Sequence, residues 1–188
     1  DNAEINGEKL SNEFLDGSWL LIIFAGNDTT RNTMSGGIKL LHENQEQKEM
    51  LINDLELLPN FINETVRCVS PVIHMRRTSL EETEINGQKI GPYEKIALWY
   101  GAANRDPSVF EDPNKFNILR DNADKHLAFG IGRHTCIGKP VALMQLREFY
   151  SQFLVRFQDF EMNGDWKVAP NNFVHAIQEM PIKYSPEN

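Results

Sequence analysis

Cys136 has the surroundings best suited to chemistry in this chain, because it lies between a glycine-rich stretch and a predicted helix. The stretch at 129–138 reads FGIGRHTCIG, and the helical pattern begins at Lys139. A cysteine just before a helix meets unpaired backbone N–H groups and the positive end of the helix dipole, which favour the thiolate. Glycines allow a close backbone approach to a flat group, and Phe129 adds an apolar wall. These features predict an axial thiolate ligand to a haem iron.

The spacing within this stretch resembles the haem-binding loop of the cytochrome P450 monooxygenases, F-x-x-G-x-x-x-C-x-G. Phe129, Gly132, Cys136 and Gly138 match it. The resemblance implies haem b as the cofactor, with Cys136 as the metal ligand. The implied cofactor contacts of the loop are Phe129, Gly130, His134, Cys136 and Gly138. For a cysteine taken alone, the alternative is a buried structural residue beside a turn.

A second unusual stretch lies inside a long helix predicted over about residues 12–41. The letters FAGNDTT at 24–30 break the helical pattern, since Gly, Asn, Asp and Thr are poor helix formers. Threonine hydroxyls in such a position can bond the carbonyl one turn earlier and bend the helix. The alternatives are a solvated helix face or a glycosylation acceptor at Asn27. The apolar run from Leu20 to Ala25 argues against a solvated face.

The same stretch resembles the family segment A-G-x-[DE]-T, which belongs to the helix that crosses the haem. The resemblance implies catalytic roles for Asp28 and Thr29, which would relay protons to oxygen. It also implies that Ala25 and Gly26 contact the cofactor side and leave room for oxygen.

A charged pair is predicted on a helix over about residues 55–69. Glu64 and Arg67 are three residues apart and therefore share a helix face. An ordinary surface pair is the alternative. The pair resembles the family's E-x-x-R, which implies a buried structural role beside the haem, with Arg120 as the third partner. Lys115 stands where many relatives have arginine, which leaves the third partner open.

A small β-sheet is predicted over about residues 72–100, with a hairpin turn at Asn86 and Gly87. Arg76 matches the family position that binds a haem propionate, and Arg77 is the alternative if the strand register shifts by one. A solvated arginine at the sheet edge is the other alternative for Arg76. The family's sheet and C-terminal hairpin line the substrate side. The implied substrate contacts are Val72, Ile73, Phe173 and Val174.

The remaining segments complete the predicted fold. They are an irregular meander at about 103–125, a helix at about 139–157 and C-terminal strands at about 158–182. Together these elements predict an α+β fold that is mainly α with a small β-sheet. The resemblance covers all 188 residues and implies the C-terminal half of the cytochrome P450 fold.

Composition excludes some classes of function. A net charge of −8 argues against nucleic-acid binding. The two cysteines lie 68 residues apart without a signal peptide, which predicts a reducing, cytoplasmic location. The longest apolar run, Trp19 to Ala25, is about a third of the roughly 20 residues that a membrane span needs.

The resemblance implies a monooxygenase that inserts one oxygen atom of O2 into a C–H bond of a hydrophobic substrate. The resemblance is strongest to soluble bacterial members of the family that act on steroids and terpenes. Electrons would come from NAD(P)H through a ferredoxin or flavodoxin-type partner, docked on a predicted basic patch. That patch consists of Arg120, Lys125, Arg133, Lys139 and Arg147.

Two other functions compete with this prediction. One is an inactive haem-binding fragment that lacks the N-terminal half. The other is a thiolate or zinc site unrelated to haem, which the spacing of the two cysteines disfavours.

Overall fold

Helices form most of the regular backbone in the computed structural model, which describes residues 4–185. They confirm the predicted mainly α fold with a small β part. The helices are α1 (Asn12–Glu43), α2 (Gln45–Asn53), α3 (Leu58–Val69), α4 (Tyr100–Ala103) and α5 (Lys139–Arg156). Short 3-10 turns lie at Leu55–Leu57, Ala123–Lys125 and Gly132–His134.

The strands of residues 4–185 pair as antiparallel two-stranded ladders. The pairs are β1 (Glu4–Ile5) with β2 (Glu8–Lys9), β3 (His74–Thr78) with β6 (Lys95–Trp99), β4 (Thr83–Ile85) with β5 (Gln88–Ile90), β7 (Glu161–Met162) with β10 (Ile182–Lys183), and β8 (Lys167–Ala169) with β9 (Ala176–Glu179).

The region 72–100 therefore forms two ladders instead of the one small sheet that was predicted. Ser79 redirects the chain after β3, since its hydroxyl donates to the Gly91 carbonyl at 2.6 Å and accepts from the Glu94 N–H at 3.0 Å. The hairpin β4–β5 then turns at Asn86 and Gly87, with φ of 49° and 82°. Both values lie in the left-handed region that an Asn-Gly turn requires.

Helix α1 is longer by two residues than the pattern predicts. Its start is fixed by Ser11, whose hydroxyl accepts a hydrogen bond from the Phe14 N–H at 3.2 Å. Its end is fixed by Asn44, whose side-chain amide donates to the Leu40 carbonyl at 2.8 Å.

The hydrophobic core lies where the second half of α1 meets α3 and α5. Phe61 of α3 contacts Tyr150 of α5 edge to face, with ring centres 4.8 Å apart. The core residues are Ile38, Leu41, Leu51, Leu58, Phe61, Ile62, Val66, Phe116, Ile118, Leu146, Tyr150, Leu154 and Phe160. Ala128 and Phe129, in the segment that precedes Cys136, pack against this core.

The first half of α1 is largely uncovered, contrary to the expectation that its apolar run avoids solvent. Residues 19–24 are each 50–70% exposed. The accessible surface of the chain is 12747 Å², whereas a folded monomer of 21.6 kDa typically has roughly 9,200 Å². The uncovered face of α1 contributes to this difference, together with exposed apolar side chains elsewhere in residues 4–185, such as Leu80, Tyr93 and Ile137. None of the helices in that part of the chain has the length and apolar character of a membrane span.

Candidate active site

The loop that carries Cys136 is folded back on itself. The Cys136 N–H donates to the Phe129 carbonyl at 2.8 Å, and the Thr135 N–H donates to the Gly132 carbonyl at 3.1 Å. Gly130 and Gly132 have φ of 72° and 67°, where a side chain would be strained. Gly130 and Gly132 are therefore needed for the tight turns that bring both ends of the loop together.

Cys136 is a free thiol at the exposed end of this loop. Ile131 and Ile137 of the same loop are 75% and 94% exposed, so apolar side chains reach its surface beside the polar residues Arg133, His134 and Thr135. The Lys139 N–H donates to the Cys136 carbonyl at 3.2 Å, which joins the loop to the start of α5. The geometry thus presents an exposed sulfur donor at a helix N-terminus, in a loop with two exposed apolar side chains.

Phe129 forms the inner side of the loop and packs against the core. The Lys139 ammonium lies 5.5 Å from the centre of its ring, and the His126 ring centre is also 5.5 Å away. Burial, assisted by the nearby Lys139 charge, lowers the pKa of His126 to about 4. His126 is therefore neutral at pH 7, and its Nδ1 accepts the Ala128 N–H at 3.3 Å.

These residues fit a haem better than a bare metal ion. A protein-held zinc ion needs three or four side-chain ligands, whereas a haem iron brings four ring nitrogens and needs an axial ligand. Within residues 4–185, no group of three or more His, Cys, Asp or Glu side chains could hold a metal ion. A lone thiol with exposed apolar neighbours is the donor set that a flat, mostly apolar haem requires.

The unusual stretch of α1 has at Thr29 a back-bonded threonine of the kind that its composition predicts, and a second one, Thr33, follows it along the helix. The Thr29 hydroxyl donates to the Ala25 carbonyl at 2.8 Å, and the Thr33 hydroxyl donates to the Thr29 carbonyl at 2.8 Å. Beside them, no atom of the described residues lies within 4 Å of where a Cβ on Gly26 would stand. This part of the helix therefore combines hydroxyl groups with open space.

Asp28 lies at the edge of this stretch and is half-buried. Its carboxylate is 2.7 Å from the guanidinium of Arg31 in an ion pair that is accessible to water. An exposed carboxylate beside a hydroxyl group can exchange protons with solvent and pass them along the helix.

Glu64, Arg67 and Arg120 form a buried cluster behind the cysteine loop. Arg67 donates to both carboxylate oxygens of Glu64, at 2.7 and 2.8 Å, and Arg120 Nε lies 3.1 Å from Oε2. Burial lowers the pKa of Arg67, but its hydrogen bonds with Glu64 outweigh that effect and raise the pKa overall. The hydrogen bonds of the three side chains are met inside the cluster, which is therefore an internally satisfied ion network.

Lys115, the alternative third partner, meets this cluster through its backbone. Its carbonyl accepts from Arg67 at 3.2 Å and from Arg120 at 3.0 Å, while its side chain is exposed.

The buried position of Arg120 corrects one expectation, because this residue cannot belong to a basic surface patch. The patch that remains exposed consists of Lys125, Arg133 and Arg147, with Lys139 half-buried beside Phe129.

Arg76 and Arg77 point to opposite sides of β3. Arg76 pairs in register with Ala97 and is exposed, and within residues 4–185 its side chain makes no hydrogen bond or ion pair. The Arg77 guanidinium donates to the Arg76 carbonyl at 2.9 Å. On the Arg76 side of the strand, the His74 ring packs against the Trp99 ring, with ring centres 4.8 Å apart. Arg76 is thus the more available cation of the two.

The four candidate substrate residues lie together. Val72 forms a bridge with Val174, and the Ile73 N–H donates to the Phe173 carbonyl at 2.8 Å. The Phe173 ring stacks on Phe24 of α1, with ring centres 6.3 Å apart. The C-terminal segment thus meets α1 immediately before Ala25 and Gly26.

Sequence reasoning missed several residues that support the site. Asn32 accepts the Ile177 N–H at 3.0 Å and so joins α1 to β9. The Tyr150 hydroxyl bonds the Thr33 and Met34 carbonyls at 3.0 and 2.9 Å. Asn104 contacts both α3 and the segment before the loop. For Asn104 the signal was its place in the NRDP run at 104–107. We found no sequence signal for the other two residues.

The chain resembles known proteins over nearly its whole length. The family model described as Cytochrome P450 matches residues 1–185. Linalool 8-monooxygenase of Pseudomonas putida is 38% identical over 186 residues, which are 99% of this chain and 46% of that protein. Steroid C26-monooxygenase of Mycolicibacterium smegmatis is 38% identical over 187 residues, 98% of this chain and 46% of that protein.

Solved structures show the same similarity. The crystal structure of CYP109E1 from Bacillus megaterium in complex with testosterone has a TM-score of 0.90 and 33% sequence identity, and the match covers 97% of this chain and 51% of that one. The chain therefore spans about half the length of the relatives that it matches.

Proposed function

The chain belongs to the cytochrome P450 family, and we propose that it forms the C-terminal half of a haem-thiolate monooxygenase that hydroxylates a hydrophobic substrate. The observation that carries this proposal is the exposed thiol of Cys136, held by a glycine loop at the start of α5 that also exposes the apolar side chains of Ile131 and Ile137. Support also comes from relatives that are named monooxygenases.

In this proposal Cys136 binds the haem iron as the thiolate, while Phe129, Gly130 and Gly138 bring the backbone close to the ring. Arg76 and His134 are both exposed. Arg76 would neutralise a haem propionate, and His134 would donate a hydrogen bond to one. A haem with an axial thiolate supplies oxygen activation, since a strongly donating thiolate favours cleavage of the O–O bond. The cluster of Glu64, Arg67 and Arg120 would have a structural role behind the loop and would take no part in the reaction.

Proton delivery is assigned to Asp28 and Thr29 on α1. The Asp28 carboxylate and its ion pair with Arg31 are accessible to water, and Thr29 is the next residue along the helix. The Thr29 hydroxyl donates its own proton to Ala25, so its oxygen can accept a hydrogen bond from the reacting side. Ala25 and Gly26 leave the space in which oxygen would be bound.

The substrate is proposed to be a steroid, a terpene or a similar apolar molecule. The named relatives include enzymes for linalool, steroids and methyl-branched lipids. The contacts among Val72, Ile73, Phe173 and Val174 would offer such a molecule an apolar wall, extended by Phe24.

Electrons are proposed to come from NAD(P)H through a ferredoxin or flavodoxin-type protein. Lys125, Arg133 and Arg147 are exposed cations on both sides of the cysteine loop, in a chain whose net charge is −8. An acidic donor would be steered to this side. We also propose a cytoplasmic location, since the role of Cys136 requires a reduced thiol.

The test is the absorption spectrum of the haem-loaded protein after reduction and binding of carbon monoxide. Thiolate ligation gives a strongly red-shifted Soret band, which we expect for the unaltered protein and for Cys68→Ser. Cys136→Ser should give the unshifted band. Retention of the red-shifted band in Cys136→Ser, or its absence from the unaltered protein, would contradict the proposal.

A further inference from the structure

Asn104 is a fully buried amide whose side chain joins two distant segments. Its Nδ2 donates to the Ser70 hydroxyl at 2.8 Å, and its Oδ1 accepts the Leu127 N–H at 2.6 Å. The residue is 0% exposed. Both ends of the amide are therefore satisfied in a place where an unpaired polar group would be costly.

The first segment is the end of α3, next to the buried ion network. The Ser70 hydroxyl donates to the Arg67 carbonyl at 2.9 Å, and Arg67 Nη1 donates to the Asn104 carbonyl at 2.7 Å. Asn104 is thus bound to α3 through its side chain and its backbone. It cannot shift relative to Arg67 without breaking two hydrogen bonds.

The second segment leads directly into the cysteine loop. The Leu127 carbonyl accepts the Gly130 N–H at 2.8 Å, and the Phe129 carbonyl accepts the Cys136 N–H at 2.8 Å. The path from Asn104 to Cys136 therefore runs through consecutive hydrogen bonds of one tight loop. Movement at Leu127 would change where the loop begins and hence where the sulfur lies.

We propose that Asn104 is a positioning residue, which sets the loop of Cys136 relative to the Glu64–Arg67 pair. This inference rests on the proposed function, because it assumes that Cys136 binds the iron. An amide suits the position because it must donate to Ser70 and accept from Leu127 simultaneously. An aliphatic side chain of similar size can do neither.

A merely structural amide would affect stability alone, so the test needs a matched control. Asn60 offers one, since its Nδ2 donates to the Ile118 and Arg120 carbonyls at 2.7 and 3.1 Å. Asn60 thereby connects α3 to the meander, in the same way that Asn104 connects α3 to the cysteine loop. Asn104→Ala and Asn60→Ala therefore each remove a side-chain connection to the same helix, which is fully buried at Asn104 and half-buried at Asn60.

The first readout is hydrogen exchange in peptides that cover 126–131 and 117–121, which requires no haem. Asn104→Ala should speed exchange at the Leu127 amide roughly tenfold. Asn60→Ala should instead speed exchange in the peptide that covers 117–121. Asn104→Asp keeps an acceptor for the Leu127 N–H, but it removes the donor to Ser70 and buries a carboxyl group. Exchange at the Leu127 amide should therefore be faster than in the unaltered protein but slower than in Asn104→Ala.

The second readout is the carbon monoxide spectrum of the reduced, haem-loaded variants. Asn104→Ala should lower the share of thiolate-bound haem at least about twofold, while Asn60→Ala leaves it unchanged even if both unfold more easily. An unchanged thiolate share in Asn104→Ala, or equal losses in both variants, would overturn the proposal. If the unaltered protein lacks the thiolate band, the proposed function fails, and exchange at Leu127 still decides whether Asn104 holds the loop.

Discussion

Gly37 of α1 lies so close to Tyr150 of α5 that a Cβ at Gly37 would stand 2.1 Å from the tyrosine hydroxyl oxygen. The same hydroxyl bonds the Thr33 and Met34 carbonyls, so it cannot move aside without losing those contacts. The crossing of the two helices therefore requires that residue 37 have no side chain.

Gly37→Ala should destabilise the fold. Overpacking a rigid contact costs about 1–3 kcal/mol, which exceeds the helix-propensity gain of about 1 kcal/mol. The free energy of unfolding, measured in urea, should fall by up to about 2 kcal/mol. Gly17→Ala is the control, since no described atom lies within 4 Å of that site, and it should not destabilise. Equal effects of the two substitutions would contradict this account of the crossing.

Glu64→Gln should be among the most destabilising substitutions in the chain. It would leave Arg67 and Arg120 buried without their anion, and breaking a buried pair costs about 3–5 kcal/mol. The measurement is again the unfolding free energy. Glu179→Gln breaks an exposed pair with Lys167 and should cost less than about 1 kcal/mol. A small loss in Glu64→Gln would show that the cluster is not tightly coupled.

His126 should make stability depend on pH. Its pKa is lowered to about 4 in the fold, against about 6.5 in the unfolded chain. Between these values the unfolded state binds more protons, so stability present above pH 6.5 is lost as the pH falls toward 4. The free energy of unfolding, measured in urea, should contain a contribution from His126 that falls by about 2 kcal/mol from pH 7 to pH 5. His126→Asn should lack that contribution, and an identical pH profile would refute it.

Thr29→Ala should lower product formation by about 10²-fold in the haem-loaded enzyme, because the proposed proton path loses its hydroxyl. Electrons from NAD(P)H would then be consumed without matching product. The measurement is the ratio of product formed to cofactor oxidised. Thr29→Ser keeps a hydroxyl and should retain most of the yield. Unchanged yield in Thr29→Ala, with the carbon monoxide band intact, would remove Thr29 from the path.

Arg133→Glu together with Lys125→Glu should slow reduction by the electron donor, with the largest effect at low ionic strength. The rate of haem reduction in stopped flow is the measurement. Lys89→Glu, on the β4–β5 hairpin, changes charge away from the loop and should have little effect. Reduction that is insensitive to both charge and salt would argue against the basic patch as the docking site.

Features that are local in the sequence could be predicted from it. The loop of Cys136 and the pair Glu64–Arg67 have their partners within a few residues, so spacing alone indicates their geometry. The back-bond of Thr29 is local for the same reason.

Contacts between distant segments could not be predicted in this way. The partners of Asn104 lie 34 and 23 residues away, and nothing in an isolated asparagine specifies them. The choice of Arg120 over Lys115 depended on which side chain turns inward in an irregular segment. The apolar run of α1 predicted burial, but a pattern cannot say which segment provides the cover.

The uncovered face of α1 has a thermodynamic consequence. Residues 19–24 already contact water in the folded chain, so unfolding exposes less new apolar surface there. The heat-capacity increment of unfolding, typically about 12–15 cal/mol/K per residue, follows that newly exposed surface. We therefore expect a smaller increment per residue in calorimetry. The stability of this chain should change less steeply with temperature than that of a chain of equal length whose helix is covered.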